Sequence, residues 1–183
     1  MRRLNLYYYL LIAFLIIALD QVTKILVLNH LVENVSVSLI GDLLYLRLIF
    51  NEGGAMGTSF GPSWLYMILT IVALILIIRY FITSQSDGVL IKFSLALILG
   101  GAIGNLIDRI AYGRVIDFID MDFPDISAIG LYRWYTYNVA DAAISVGLVV
   151  FAVCIFIPRK HPTNPSELKP EVEAPVQTDP SGR

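Results

Sequence analysis

Two aspartates stand out in the sequence because each lies among apolar residues. Asp117 occurs in Val-Ile-Asp-Phe-Ile-Asp at 115–120, and Asp141 ends the segment Tyr-Asn-Val-Ala-Asp at 137–141. If the fold brings the two carboxyl groups close together, they share one proton, because neighbouring carboxylates cannot both ionise cheaply. The ionised group can then take a proton from a water molecule that attacks a peptide carbonyl, while the protonated group supports the oxyanion and the leaving amine. This pattern predicts the general acid and general base of an aspartic protease.

A third aspartate, Asp20, precedes Lys24 by four residues. On a helix this spacing, with the acid first, favours an ion pair. Charged groups inside a membrane are costly unless they are paired or face water, so each one is a candidate functional group. The sequence leaves two interpretations open: the pair anchors a helix at the membrane interface, or it takes a direct part in the site.

The segment at 100–109, Gly-Gly-Ala-Ile-Gly-Asn-Leu-Ile-Asp-Arg, joins three glycines to three polar residues. The glycines permit close contact between helices. Asn105, Asp108 and Arg109 share one helix face because they are spaced i, i+3 and i+4. We expect Asn105 and Arg109 to face the substrate or support the site. Asp108 is expected to be a structural partner of Arg109 or Lys24.

Other chemistries find little support in the residues. A serine nucleophile is disfavoured because no histidine is placed to serve as its base, and a Ser/Lys pair is disfavoured because Asp20 is well placed to keep Lys24 charged. Cys154 has no second cysteine, and with the isolated His30 and His161 it cannot build a metal site. We therefore expect neither a metal nor a cofactor.

The composition indicates which elements must position these residues. The chain of 183 residues is 57% hydrophobic and 15% charged, with a mean hydropathy of +0.72, whereas soluble domains average about 45–50% apolar and about 25% charged residues. The net charge of −2 gives no basic surface for nucleic acid. We predict an all-α membrane protein with a four-transmembrane-helix bundle, because four windows are long and apolar enough to span a bilayer: 7–28, 64–81, 91–110 and 137–157.

The distribution of lysine and arginine sets the expected orientation of these spans. Basic residues flank the chain ends and the short loop at 84–88, and fewer lie in the long connections at 29–63 and 111–136. Both termini are therefore expected in the cytoplasm, and both long connections outside it. Any chemistry in those connections would take place at the extracytoplasmic face.

Three further segments differ in character from the spans. Alternating apolar and polar residues within 35–48 predict a small hairpin or sheet. Asp120, Asp122 and Asp125 are interpreted as a solvated acidic loop. The proline-rich segment 158–183 is predicted to be a disordered cytoplasmic tail, separate from a membrane domain at 1–157.

Taken in order, five motifs resemble those of the lipoprotein signal peptidases, also called signal peptidase II. They are Asp-Gln-Val-Thr-Lys at 20–24, Asn-Glu-Gly-Gly-Ala-Met-Gly at 51–57, the segment 100–109, the segment 115–120, and Asn-Val-Ala-Asp at 138–141. Each motif alone is a weak signal, but five in this order are specific. The resemblance covers the membrane region and ends before the tail.

The resemblance implies a four-helix membrane aspartic peptidase of the bacterial inner membrane, with an extracytoplasmic β-cradle and a short amphipathic outer helix. It implies cleavage of prolipoproteins just before a cysteine that carries diacylglycerol, in contact with membrane lipid. Nothing in the sequence demands more than a monomer. Asp117 and Asp141 are the implied catalytic pair. Substrate contacts are implied for Asn51, Gly53, Asn105, Arg109 and Asn138, of which Asn138 also supports the pair, and site support is implied for Asp20, Lys24 and Asp108.

The sequence departs from the family pattern at three positions. Gly54 and Met56 replace a small residue and an aromatic one in the second motif, and Tyr137 stands where phenylalanine commonly precedes the last asparagine. Glycine loosens the backbone and methionine is an adaptable apolar residue, so we expect a more mobile loop over the site. The segment at 121–135 is longer than usual and carries interfacial aromatic residues, which predicts a lid resting on the membrane.

Two rival interpretations remain at this stage. A non-catalytic scaffold or transporter subunit would use its intramembrane acids for ions or packing, but here the polar residues cluster at the outward ends of the spans. An intramembrane protease of the presenilin type would have more helices and a Gly-x-Gly-Asp motif, which this sequence lacks.

Overall fold

The computed structural model describes residues 2–53, 61–83, 88–122 and 134–156. Its elements in chain order are α1 (Arg2–His30), β1 (Ser36–Ile40), β2 (Leu44–Asn51), α2 (Ser63–Thr83), α3 (Val89–Tyr112), β3 (Val115–Met121) and α4 (Val139–Phe156). All four helices are long and apolar enough to cross a membrane, so the four predicted spans are confirmed. The last helix begins at Val139 and not at residue 137, because the backbone of Tyr137 pairs with Ile119 in β3.

Helix α3 lies at the centre of the bundle, and glycines let its neighbours approach it closely. A Cβ atom on Gly100 would stand 2.8 Å from the Ala13 carbonyl oxygen of α1. A Cβ on Gly101 would collide with the Ala140 carbonyl oxygen of α4. Small residues therefore set the spacing of α1, α3 and α4, as is common where helices meet in a bilayer.

Helix α2 packs on the outside of this group. Every residue of α2 is described, and among them only Leu74 is buried. Near its C-terminal end Tyr80 meets Phe151 of α4 edge to face, with ring centroids 6.0 Å apart. Near its start the Ser63 hydroxyl donates to the carbonyl of Gly113. Most of α2 is thus left facing the membrane.

The three strands form an antiparallel sheet in the order β1-β2-β3. The predicted pairing of the first two strands is confirmed, and β3 adds a third strand that the alternation within 35–48 did not indicate. Val27 at the end of α1 packs with Leu48, Ile116 and Phe118 in a buried apolar cluster between helix and sheet. This cluster seats the sheet on the helix ends.

The turn between α3 and β3 determines where the polar residues meet. Gly113 adopts a left-handed conformation with φ of 73°, and its N–H donates to the Arg109 carbonyl at 3.0 Å. Glycine tolerates this conformation without strain. The chain reverses there, so Asp117 on β3 comes back towards the end of α3.

One interpretation of the acidic residues is wrong. Asp120 is only 1% exposed, because it lies on β3 opposite Tyr45 of β2 and not in a solvated loop. Asp122 is partly buried. Several further interpretations concern residues outside the described part of the chain. They are those for Asp125, Gly54 and Met56, most of the lid at 121–135, the short outer helix and the tail at 158–183.

Candidate active site

The two aspartates of the expected pair come from different elements, and one asparagine joins them. Asp117 lies on β3 and Asp141 in the first turn of α4. The Asn138 side chain donates to Asp117 Oδ1 at 2.8 Å, while its backbone N–H donates to Asp141 Oδ2 at 3.3 Å. Asn138 is fully buried. The structure thus brings together the two carboxyl groups that the sequence singled out.

Burial changes the acidity of the strand carboxyl group. Asp117 is 2% exposed, and removal from water raises its pKa from 3.8 to about 7, with the charge of Asp141 adding to the rise. Hydrogen bonds from Asn51 and Asn138 oppose this shift in pKa. A carboxyl group with a pKa near 7 can hold or release a proton at neutral pH, as acid and base catalysis requires.

Two further asparagines donate directly to the carboxyl groups. Asn51 Nδ2 lies 2.9 Å from Asp117 Oδ2, and Asn105 Nδ2 lies 2.8 Å from Asp141 Oδ1. All three asparagines were expected to contact substrate, and Asn105 and Asn138 were also expected to support the site. The structure places Asn51, Asn105 and Asn138 against the acid pair. The four carboxyl oxygens each accept one N–H donor.

The orientation of two of these amides is fixed by what their oxygens accept. Asn51 Oδ1 accepts the Gly53 backbone N–H at 2.9 Å, and Asn138 Oδ1 accepts the Asp141 backbone N–H at 2.9 Å. Each oxygen faces a group that can only donate, so each NH₂ must turn towards a carboxyl group.

Arg109 lies beside the acid pair at the end of α3. One guanidinium nitrogen donates to the Gly53 carbonyl at 3.1 Å, and the other lies 3.4 Å from the Asn105 carbonyl. Its Nε–H is buried and has no hydrogen-bond partner within the part of the chain that the structure describes. Arg109 therefore holds the turn at Gly53 against the end of α3.

A buried charged cluster lies behind the asparagines. The Lys24 ammonium is 2.8 Å from Asp20 and 2.7 Å from Asp108. Of the two partners expected for Asp108, Arg109 and Lys24, the structure therefore shows Lys24. Asp20 also accepts the Ala140 backbone N–H at 2.9 Å, and Asp108 accepts that of Ile116 at 3.1 Å. These contacts link α1, α3, β3 and α4. The cluster is interior, so Asp20 and Lys24 do not form an anchor at a solvated interface.

Sequence reasoning assigned no role to Gln21. Its side-chain amide donates to Asp108 at 3.0 Å and to the Gly104 carbonyl at 3.2 Å. The available signal was a polar side chain inside an apolar window, next to Asp20.

Among the described residues no three His, Cys, Asp or Glu side chains group as a metal site would need.

Fold and site together define a multi-pass membrane protein whose sheet and helix ends enclose a hydrogen-bonded pair of aspartates. The family model described as "Signal peptidase (SPase) II" matches residues 12–157. A lipoprotein signal peptidase of Pelodictyon phaeoclathratiforme is 38% identical, over 86% of this chain and 96% of its own length. One of Desulforapulum autotrophicum is 42% identical, over 77% and 86% of the two chains.

A solved structure of a bacterial membrane enzyme is similar as well. It superposes with a TM-score of 0.73 at 26% identity, covering 86% of this chain and 94% of its own. A second bacterial membrane enzyme structure has a TM-score of 0.71 at 27% identity, covering 83% and 94% of the two chains. The chain belongs to the signal peptidase II family of proteases, and it is a multi-pass bacterial membrane protein.

Proposed function

We propose that this protein is an aspartic endopeptidase that removes the signal peptide from prolipoproteins carrying a diacylglyceryl cysteine, cutting just before that cysteine. The observation that carries the proposal is the pair Asp117 and Asp141, joined by Asn138 where the helix ends meet the sheet. Asp117 is buried and Asp141 is partly buried. The names of the relatives supply the substrate class.

In this mechanism the two carboxyl groups titrate as one unit and hold a single proton. The ionised member takes a proton from a water molecule, and the oxygen of that water attacks the scissile carbonyl carbon. The protonated member donates to the carbonyl oxygen as negative charge develops there. The proton taken from water then passes to the amide nitrogen and the C–N bond breaks. The proton given to the carbonyl oxygen returns to its carboxyl group as the new C=O forms, which restores the starting state of the pair.

The donors around the pair divide into two roles in this proposal. Asn51, Asn105 and Asn138 hold the carboxyl groups in place through the contacts given above. Arg109 and the turn at Gly53 bind the substrate backbone, because the guanidinium group lies beside both carboxyl groups and can donate charge-assisted hydrogen bonds to peptide carbonyls.

The proposed topology has the termini in the cytoplasm and the acid pair at the extracytoplasmic face. Basic residues flank the cytoplasmic ends of the spans. A signal helix lying in the bilayer, with its lipidated cysteine in the outer leaflet, would then present the scissile bond at the level of the sheet. This arrangement accounts for a protease site built where helix ends meet a sheet.

The test is cleavage of a diacylglyceryl-modified prolipoprotein by the purified protein in lipid. Asp117→Asn and Asp141→Asn should each lower kcat by about 10³-fold, because each removes a proton-transfer group. Asp42→Asn is the matched control, since Asp42 is exposed in the turn between β1 and β2. A folded Asp117→Asn or Asp141→Asn variant that keeps a rate near that of Asp42→Asn would refute the catalytic assignment.

A further inference from the structure

The side-chain oxygen of Asn105 is held by a buried ammonium group. Lys24 Nζ donates to Asn105 Oδ1 at 3.1 Å, in addition to its contacts with Asp20 and Asp108. An ammonium group has three N–H donors, and these three acceptors use all of them. Lys24 is 1% exposed, so water does not compete for these contacts.

This contact determines which end of the Asn105 amide meets the acid pair. Asn105 Oδ1 also accepts the Asn138 side-chain N–H at 3.1 Å, and Asn105 Nδ2 donates to Asp141 Oδ1 at 2.8 Å. A flipped amide would turn its NH₂ towards the Lys24 ammonium and its oxygen towards a carboxylate. Both new contacts would be repulsive in a buried site, so the ammonium excludes the flipped state.

We propose that Lys24 is a positioning residue of the reaction, acting through Asn105 so that Asp141 always meets an N–H donor. The inference rests on the proposed function, since it concerns the acid pair of that mechanism. It differs from a purely structural role, in which Lys24 would only neutralise Asp20 and Asp108. In the positioning role, what matters at residue 24 is a donor to Asn105; in the structural role, what matters is the positive charge.

Two neutral replacements separate these roles. Glutamine and methionine end at the same distance from the backbone, and both remove the charge of Lys24, but only glutamine carries an N–H donor. Lys24→Met should lower kcat by about 10- to 100-fold, the range expected for losing one hydrogen bond to a charged group, with KM changed less than about 2-fold because substrate contacts are untouched. Lys24→Gln should keep at least about 10 times the kcat of Lys24→Met.

The measurement compares kcat, KM and the thermal unfolding midpoint of both variants with those of the wild type, using the lipidated prolipoprotein. If Lys24→Gln and Lys24→Met show equal kcat, or if the loss appears in KM alone, the positioning role is wrong. Should Lys24→Met fail to fold, the pair is compared in the Asp20→Asn background, where the formal charge of the cluster equals that of the wild type. A wild type that does not cleave refutes the proposed function, whereas a wild type that cleaves with equal variants refutes only this inference.

Discussion

The pH dependence of stability should report the burial of Asp117 directly. In the unfolded chain its carboxyl group ionises near 3.8, whereas in the folded protein its pKa is about 7. Between these values the folded state holds a proton that the unfolded state has released, so the free energy of unfolding falls as pH rises. One pKa unit corresponds to about 1.36 kcal/mol, which gives a loss of about 4 kcal/mol between about pH 4 and pH 7. Above the folded pKa this contribution stays lost.

The variant Asp117→Asn isolates this effect, because an amide does not titrate. The new side chain would turn its NH₂ towards one of the donors, Asn51 or Asn138, and this lowers stability by the same amount at every pH. The test is therefore how the difference in the free energy of unfolding between wild type and variant changes with pH. The size of that difference at one pH is not informative. From about pH 5 to pH 8 the wild type should lose about 3 kcal/mol relative to Asp117→Asn, or about 5–10 °C in unfolding midpoint for a chain of this length.

The assay is thermal unfolding of both proteins in one detergent across this pH range. Asp42→Asn should follow the wild type throughout, because Asp42 is exposed. Asp141→Asn should move the fall in stability to lower pH, because it removes the neighbouring charge that raises the pKa of Asp117. A difference between wild type and Asp117→Asn that stays constant across the range would show that the folded pKa of Asp117 is ordinary, and the reasoning would fail.

Two substitutions test the packing around the site. Gly104→Ala should lower stability by about 3–5 kcal/mol and abolish cleavage, because its Cβ would stand 2.6 Å from the Asp20 carboxylate and break a buried ion pair; Gly88→Ala, in open space at the start of the same helix, should have little effect on the unfolding midpoint. Tyr137→Phe should cost less than about 1.5 kcal/mol and leave kcat unchanged, because it removes only the contact from the hydroxyl to Met121 at 2.9 Å. Unfolding midpoints and cleavage rates check both. Equal stability of the two alanine variants, or a large loss of kcat in Tyr137→Phe, would contradict these expectations.

Sequence alone identified the spans and the acids because both signals are local. An apolar window longer than about 18 residues has few alternatives to a membrane helix, and Asp117 and Asp141 stand out against their apolar neighbours. The spacing of Asn105 and Arg109 on one helix face was equally readable, because helical periodicity relates residues three and four apart. These features need no knowledge of which elements meet.

The contacts across long stretches of sequence could not be read in the same way. Asp108 had two candidate partners, and the choice of Lys24 depends on how α1 packs against α3. Asp120 was interpreted as solvated because its neighbours in sequence are acidic, whereas pairing of β3 with β2 buries it. Asn105 was expected to face the substrate or support the site, and its orientation towards Asp141 follows from donors in other elements, Lys24 and Asn138.

The order of the elements along the chain has a consequence for biosynthesis. The two carboxyl groups belong to β3 and to the last helix, and Asp20 of the first helix accepts a hydrogen bond from Ala140 of the last. Until α4 is inserted, the nascent chain carries half of the pair and an incomplete set of donors around it. Under the proposed mechanism, hydrolysis therefore requires that all four helices are translated and inserted, and a product truncated before α4 is expected to be inactive.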